Sequence, residues 1–226
     1  MSKITAFIPA RGGSKGIANK NIKIFSGKPL IMHTIEYALN SHKIDEVVVS
    51  TDDEKISAVA KSAGIKVIKR PANLSTDTAL TESAIKHFIQ SIDNKPNIIV
   101  LLQATSPVRP IGALDNAIEY FVKEKFDSLL SICPNHNFFW NINKDGKINA
   151  NYNYLNRPRR QDMKINDKQF LENGSIYIFT HEHFIKTGNR LGGNIGFVEW
   201  PEEYSIEIDT LLDFIIAEQI YNNLNS

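Results

Sequence analysis

Hydrophobic positions along this chain fall into short blocks separated by polar, turn-rich stretches, and the blocks alternate between strand-like and helix-like periods. Ile4–Pro9 is an apolar, β-branched and aromatic run, the pattern of a buried strand, and it leads into the turn-rich stretch Ala10-Arg11-Gly12-Gly13-Ser14-Lys15-Gly16. Pro29 suits the first position of a helix, predicted over 29–40. There follow a strand over 46–50, a helix over 53–63 stopped by Gly64, a strand over 65–69 and a capped helix over 77–90. Ile98–Leu102 is a continuous Ile-Ile-Val-Leu-Leu run of the sort that a parallel sheet buries on both faces, which makes it a central strand. A helix over 112–123 and a strand over 128–132 complete a βαβ series. Its spacing predicts a doubly wound α/β fold, a Rossmann-like arrangement with a mostly parallel sheet and helices on both faces.

From 134 to 170 the periodicity fails. The stretch is rich in asparagine, lysine and aromatics, and an irregular loop of roughly 35 residues is improbable in a compact domain, so it reads as an active-site lid or a protruding arm. A strand over 175–179 and an amphipathic helix over 211–221 close the pattern.

Composition narrows the class. A chain of 226 residues is close to the size at which one core stops growing, so one domain over 1–226 with 134–170 as an appendage is expected. The 26 basic and 25 acidic side chains nearly cancel, which argues against bulk attraction to nucleic acid. Cys133 is the sole cysteine and can form no internal disulfide, and the start of the chain has no signal-peptide pattern. No apolar run approaches the roughly 20 residues needed to span a bilayer. A cytoplasmic, reducing compartment and no membrane partner are expected.

In open parallel sheets ligands bind beyond the carboxyl ends of the strands. The first such loop, 10–21, offers Gly12, Gly13 and Gly16 for close backbone approach, with Arg11, Lys15 and Lys20 to neutralise phosphates. It is neither a Walker A loop nor the dinucleotide Gly-x-Gly-x-x-Gly, and a basic surface turn is the plain alternative. The next loops carry Ser50-Thr51-Asp52-Asp53, Arg70-Pro71-Ala72 and Gln103-Ala104-Thr105-Ser106-Pro107-Val108-Arg109. Asp52 and Asp53 also suit the cap of the following helix.

These stretches, with Lys20-Asn21, Arg157-Pro158-Arg159-Arg160-Gln161-Asp162, Glu172-Asn173-Gly174-Ser175 and Ile208-Asp209-Thr210, closely resemble in this order the acylneuraminate cytidylyltransferases. The resemblance implies that Arg11, Ser14, Lys15, Lys20 and Asn21 hold the phosphates of CTP, and that Arg70 and Thr81 lie near the cytosine ring. It implies that Gln103, Arg159 and Tyr177 contact an acidic nine-carbon sugar, for which an amide, a guanidinium and a phenol are suitable partners. Core packing is the alternative for Tyr177, and a solvated basic turn for 157–160. Asp209 matches the carboxylate that binds Mg²⁺ (or Mn²⁺). Glu207 stands where bacterial members carry Asp; alternate residues of a strand share one side, so both could serve one metal. Capping of the last helix is the alternative for Asp209-Thr210. The 134–170 segment matches an arm that reaches a second subunit in a homodimer, with Phe138, Phe139 and Trp140 as interface candidates.

The activity implied is transfer of CMP from CTP to the anomeric hydroxyl of a nonulosonic acid, N-acetylneuraminate foremost, with release of pyrophosphate. Arg11, Lys20 and Asp209 are the expected catalytic residues, acting by positioning and charge neutralisation, and no side chain stands out as a general base. Alternatives are the same reaction on legionaminate, pseudaminate or Kdo and, more remotely, a non-catalytic nucleotide- or RNA-binding module.

Overall fold

The computed structural model describes residues 2–163 and 168–225. Residues 164–167 of the expected arm lie outside the described residues. In chain order the elements are β1 (Ile4–Pro9), the short pair β2 (Ile24–Phe25) and β3 (Lys28–Pro29), α1 (Leu30–Leu39), β4 (Glu46–Thr51), α2 (Glu54–Ser62), β5 (Lys66–Lys69) and α3 (Thr81–Gln90). Then come β6 (Ile98–Leu102), α4 (Ala113–Glu124), β7 (Ser128–Asn135), β8 (Trp140–Ile142), β9 (Ile148–Ala150), β10 (Gln169–Thr180), α5 (His181–Thr187), β11 (Ile195–Glu199) and α6 (Leu211–Leu224).

The main sheet has the strand order β11-β7-β10-β6-β1-β4-β5. All pairings are parallel except those of β10, which runs antiparallel to both β6 and β7. Alternation along the strands sorts the core into two layers. Ala6, Ile8, Val49, Val100, Leu102 and Ile178 face α1, α2 and α4 through Ile31, Ile35, Ile56 and Ile118. Phe7, Val48, Ile99, Leu101 and Phe179 face α3 and α5 through Ile85, Phe88 and Phe184. Helices therefore cover both faces, as the pattern predicts, and β6 is buried along its whole length.

A third apolar cluster joins Ile17, Phe25, Leu30, Val108 and Ile208 to Phe214 and Ala217 of α6. Its importance is positional: it ties the loop after β1, the loop after β6 and the start of the last helix into one body. The winding explains why those three meet. From β1 the chain moves outward to β4 and β5, then crosses back to β6 on the other flank of β1, so the loops leaving β1 and β6 diverge and open a crevice between them.

Several boundaries differ from the sequence pattern. The helix expected over 77–90 begins at Thr81, because Asp77 is drawn into ion pairs instead of a cap. The 134–170 stretch is not wholly irregular: β7 runs on to Asn135, β10 begins at Gln169, and β8 and β9 form a hairpin across the turn containing Gly146. The strand over 175–179 is the inner part of β10, and α5 and β11 are additional elements. No helix among the described residues is long and apolar enough to cross a membrane.

Candidate functional site

The crevice between the ends of β1 and β6 is a cavity of about 260 Å³. Of the residues singled out from sequence, Arg11, Ser14, Lys20, Asn21, Arg70, Thr81, Gln103, Glu207 and Asp209 line it together. They come from the loops after β1, β5 and β6, the start of α3, and the segment before α6.

The glycine-rich loop is held in place by its backbone. The Gly12 amide donates to Asp52 Oδ1 at 3.1 Å, and Asn21 Nδ2 donates to the Arg11 carbonyl at 2.9 Å. Asp53, not Asp52, caps α2, accepting from the amides of Lys55 and Ile56. Gly16 allows a close crossing: a Cβ there would lie 2.0 Å from the Asp209 carbonyl oxygen, so only glycine lets the loop pack on the metal-candidate segment. At its far end Lys20 is buried, and its Nζ donates to the Ile208 carbonyl at 2.6 Å and to Asp209 Oδ1 at 3.2 Å.

Glu207 and Asp209 do not lie on a strand, contrary to expectation. They belong to an extended segment outside the sheet, anchored where the Ile208 amide donates to the Thr105 carbonyl at 2.8 Å. The alternation nevertheless holds, since Ile208 is fully buried while its two neighbours line the cavity. Capping of α6 falls to Thr210 and Asp213, which form a capping box, so the Asp209 carboxylate is left for other work. Glu207 Oε1 accepts from Thr105 Oγ1 at 3.2 Å and lies 3.5 Å from Gln103 Nε2. Burial pushes the Glu207 carboxyl above the ordinary range, and the negative charge of Asp209 adds to the rise.

On the opposite wall, burial holds the Arg70 guanidinium below the usual arginine value, with Asp52 acting the other way. Its Nε and Nη2 are buried without a hydrogen-bond partner among the described residues. Arg11 Nη1 lies 2.5 Å from Asp77 Oδ1, and Lys15 Nζ lies 2.9 Å from the other oxygen of that carboxylate. The two cations lower the Asp77 carboxyl below its ordinary value, Lys15 through the larger share.

Lys15, Arg159 and Tyr177 do not line the cavity. Lys15 is exposed beside it through Asp77, and Arg159 is exposed and pairs locally with Asp162 at 2.6 Å. Tyr177 is buried in the core layer facing α3, its hydroxyl donating to Glu172. Arg190 stacks on the Tyr177 ring at 4.5 Å and pairs with Glu82, making a charged cluster that the sequence did not announce because its members span 108 residues. Gly174 has φ +66°, and a Cβ there would meet Gln103 Oε1 at 2.9 Å and Glu207 Oε2 at 3.0 Å, so the glycine of the Glu-Asn-Gly-Ser motif closes one side of the crevice.

Among the described residues no group of three or more metal-ligating side chains gathers into a cage. Glu207 and Asp209 are the carboxylates that line the cavity. Such a pair suits a hard cation that takes one or two protein carboxylates and fills its remaining positions with water and phosphate oxygens.

Residues 5–220 match the family model described as Cytidylyltransferase. The chain is 40% identical over 220 residues to the N-acylneuraminate cytidylyltransferase A of Danio rerio, a match covering 96% of this chain and 50% of that protein. It is 34% identical over 231 residues to the N-acylneuraminate cytidylyltransferase of Escherichia coli, covering 99% and 53%. The chain thus spans about half the length of the curated relatives it matches. Among solved structures, a CMP:2-keto-3-deoxy-manno-octonic acid synthetase complexed with CTP superposes with a TM-score of 0.73 at 17% identity, covering 99% of this chain and 100% of that one. A 4-diphosphocytidyl-2C-methyl-D-erythritol synthase from Anaerococcus prevotii does so with 0.66 at 13%, covering 98% and 99%. At those identities the likeness is one of fold.

Proposed function

The chain belongs to the cytidylyltransferase family, and from that premise we propose that it transfers CMP from CTP to the anomeric hydroxyl of a nonulosonic acid, N-acetylneuraminate foremost, releasing pyrophosphate. The observation that carries this reading is the convergence of Arg11, Lys20, Arg70, Gln103, Glu207 and Asp209 on one crevice at the switch point of the sheet.

The reaction is an in-line attack of a sugar oxygen on the α-phosphorus, and positioning and charge neutralisation supply most of its acceleration. Arg11 and Lys20 offset charge on the triphosphate and on the departing pyrophosphate, with Lys15 reaching in from the rim. Ser14 and the loop amides, braced by Asn21, add hydrogen bonds. Arg70, with two buried nitrogens unpaired, has donors suited to the carbonyl side of cytosine, and the Thr81 hydroxyl lies on the same wall. Gln103 takes the sugar side of the crevice.

Asp209, aided by Glu207, would hold a divalent cation such as Mg²⁺. A bound cation supplies charge neutralisation at phosphate oxygens and makes a hydroxyl easier to deprotonate. The Glu207 carboxyl, raised first by burial and then by the charge of Asp209, would be favoured in its ionised form by a cation held at this pair. The same reading makes the protein a cytoplasmic homodimer formed through the arm.

The test is pyrophosphate release with CTP and Mg²⁺, comparing N-acetylneuraminate, legionaminate, pseudaminate and Kdo as acceptors. Turnover with N-acetylneuraminate above the others is expected. Turnover with none of the four would overturn the reading.

A further inference from the structure

Arg109 ends the loop that follows β6, and it is buried with 7% of its surface exposed. Among the described residues it forms no ion pair with a carboxylate. Its partners are instead neutral oxygens: Nη1 donates to Thr34 Oγ1 at 3.0 Å, and Nη2 donates to the carbonyls of Gln103 at 2.7 Å and Ser175 at 3.1 Å. The guanidinium stacks on the Tyr37 ring at 5.3 Å, while its Nε is buried without a partner among the described residues. Burial lowers its pKa to about 10, which leaves it charged at neutral pH.

A buried cation without a counter-charge is an expensive way to stabilise a fold, and an apolar side chain of similar size packs such a space at lower cost. The identity of the two carbonyls indicates a different role. The last paired residues of the β6–β10 ladder are Leu102 and Ile176. Gln103 and Ser175 are the next residue on each strand, where the ladder has ended and the crevice begins. One guanidinium nitrogen, Nη2, therefore joins the two strands one step beyond their pairing, while the other, Nη1, is anchored on Thr34; a lysine has no second, fixed nitrogen to do both. Above this bridge, Gly174 abuts the Gln103 side chain, and that side chain lies beside Glu207.

We propose that Arg109 is the positioning residue of the acceptor half of the site, holding Gln103 and the Gly174–Ser175 corner at the spacing that presents the Gln103 amide to the acidic sugar. This rests on the cytidylyl-transfer reading above. Arg109 touches neither nucleotide nor sugar in this scheme. The CTP half, built from the loops after β1 and β5, is independent of it.

The experiment compares the unaltered chain with Arg109→Lys and Thr34→Val, measuring KM and kcat for the acceptor sugar and, separately, CTP binding by calorimetry. Thr34→Val keeps the shape of a fully buried side chain and removes one prop of the guanidinium, so it tests the idea even where Arg109→Lys folds poorly. For Arg109→Lys, kcat/KM for the sugar is expected to fall about 100-fold, mostly through KM, with CTP affinity unchanged. Thr34→Val is expected to shift KM in the same direction by less. A purely structural role would lower thermal stability and the active fraction while leaving KM for the sugar unmoved, and that result in both variants would overturn the inference while the reading of the function stands. An unaltered chain that binds CTP but turns over no acidic sugar would overturn both together.

Discussion

Lys20 Nζ lies 3.2 Å from Asp209 Oδ1, an ion pair between residues 189 apart in sequence that joins the loop after β1 to the segment entering α6. Lys20 is buried and Asp209 exposed, so the pair presents a fixed cation and an accessible carboxylate on neighbouring walls of the crevice.

The pair makes Asp209→Ala informative. Thr210 and Asp213 cap α6 without the Asp209 side chain, and Lys20 keeps its bond to the Ile208 carbonyl, so the fold is expected to survive. Turnover is expected to fall about 1,000-fold, as for loss of a major electrostatic group at a reacting centre. Pyrophosphate release measured beside a thermal unfolding curve checks both halves, and full activity in the variant would remove Asp209 from the mechanism.

Asp77 holds Arg11 and Lys15 through both oxygens of one carboxylate, and so occupies cations that a triphosphate would claim. Asp77→Asn keeps the shape and removes the competing charge. CTP binding is then expected to tighten about two- to fivefold, the scale of exposed ion pairs, and the gain should shrink as salt is raised. Calorimetric titration at low and high ionic strength measures it; weaker binding in the variant would mean that Asp77 instead helps to orient the two cations.

The legible and illegible parts of the molecule divide along physical lines. Burial on both faces makes Ile98–Leu102 an unbroken apolar run, and one face of each helix must meet the sheet, so β6, α2 and α4 stand out from local pattern. Strand direction leaves no such trace, which is why the antiparallel course of β10 appears only in the structure. Asp77 illustrates the limit of local signals. An aspartate before a helical pattern is a plausible cap, but its partners lie more than 60 residues away, and a long-range ion pair outweighs a preference. The outer end of β7 is half-buried and that of β10 exposed, with polar Asn135, Gln169 and Glu172 mixed among apolar residues, so no alternation marks these strand ends in the sequence. The cavity set was more legible than the arm because each of its loops directly follows a strand or precedes α6. Arg109 stood inside a recognised motif, yet only geometry reveals that its partners are carbonyls.

The arm gathers aromatic side chains that the main body does not cover. The Phe138 ring packs tilted against Tyr152 at 4.3 Å and carries Arg157 at 4.3 Å, while Trp140, 47% exposed, lies 5.7 Å from Tyr154. Ile142 and Ile148, paired across the β8–β9 hairpin, are also exposed. Exposed apolar groups at this density mark a contact surface. Sedimentation is expected to give a dimer for the unaltered chain and a monomer for Trp140→Asp combined with Ile142→Asp. A monomer in both cases would exclude the arm as a dimer contact.

His33 gives the fold an acid sensitivity separate from the site. It is buried on α1, its Nε2 meets the Phe25 carbonyl at 2.8 Å, and its Nδ1 has no partner among the described residues. Burial lowers its pKa from 6.5, the nearby charges of Lys28 and Arg109 lower it further, and the Phe25 carbonyl and Glu36 act in the opposite sense. Tyr221 of α6 covers the ring edge-on. Because the folded value lies below the unfolded one, the unfolded chain binds the proton more readily, so this contribution to stability is complete above about pH 6.5 and is lost as pH falls toward the folded value. The urea midpoint is therefore expected to drop between about pH 7.5 and pH 5.5, and to drop less in His33→Gln, whose amide can still reach the Phe25 carbonyl. Equal slopes in the two proteins would mean that other groups, such as His87, whose pKa burial also lowers, carry the acid response.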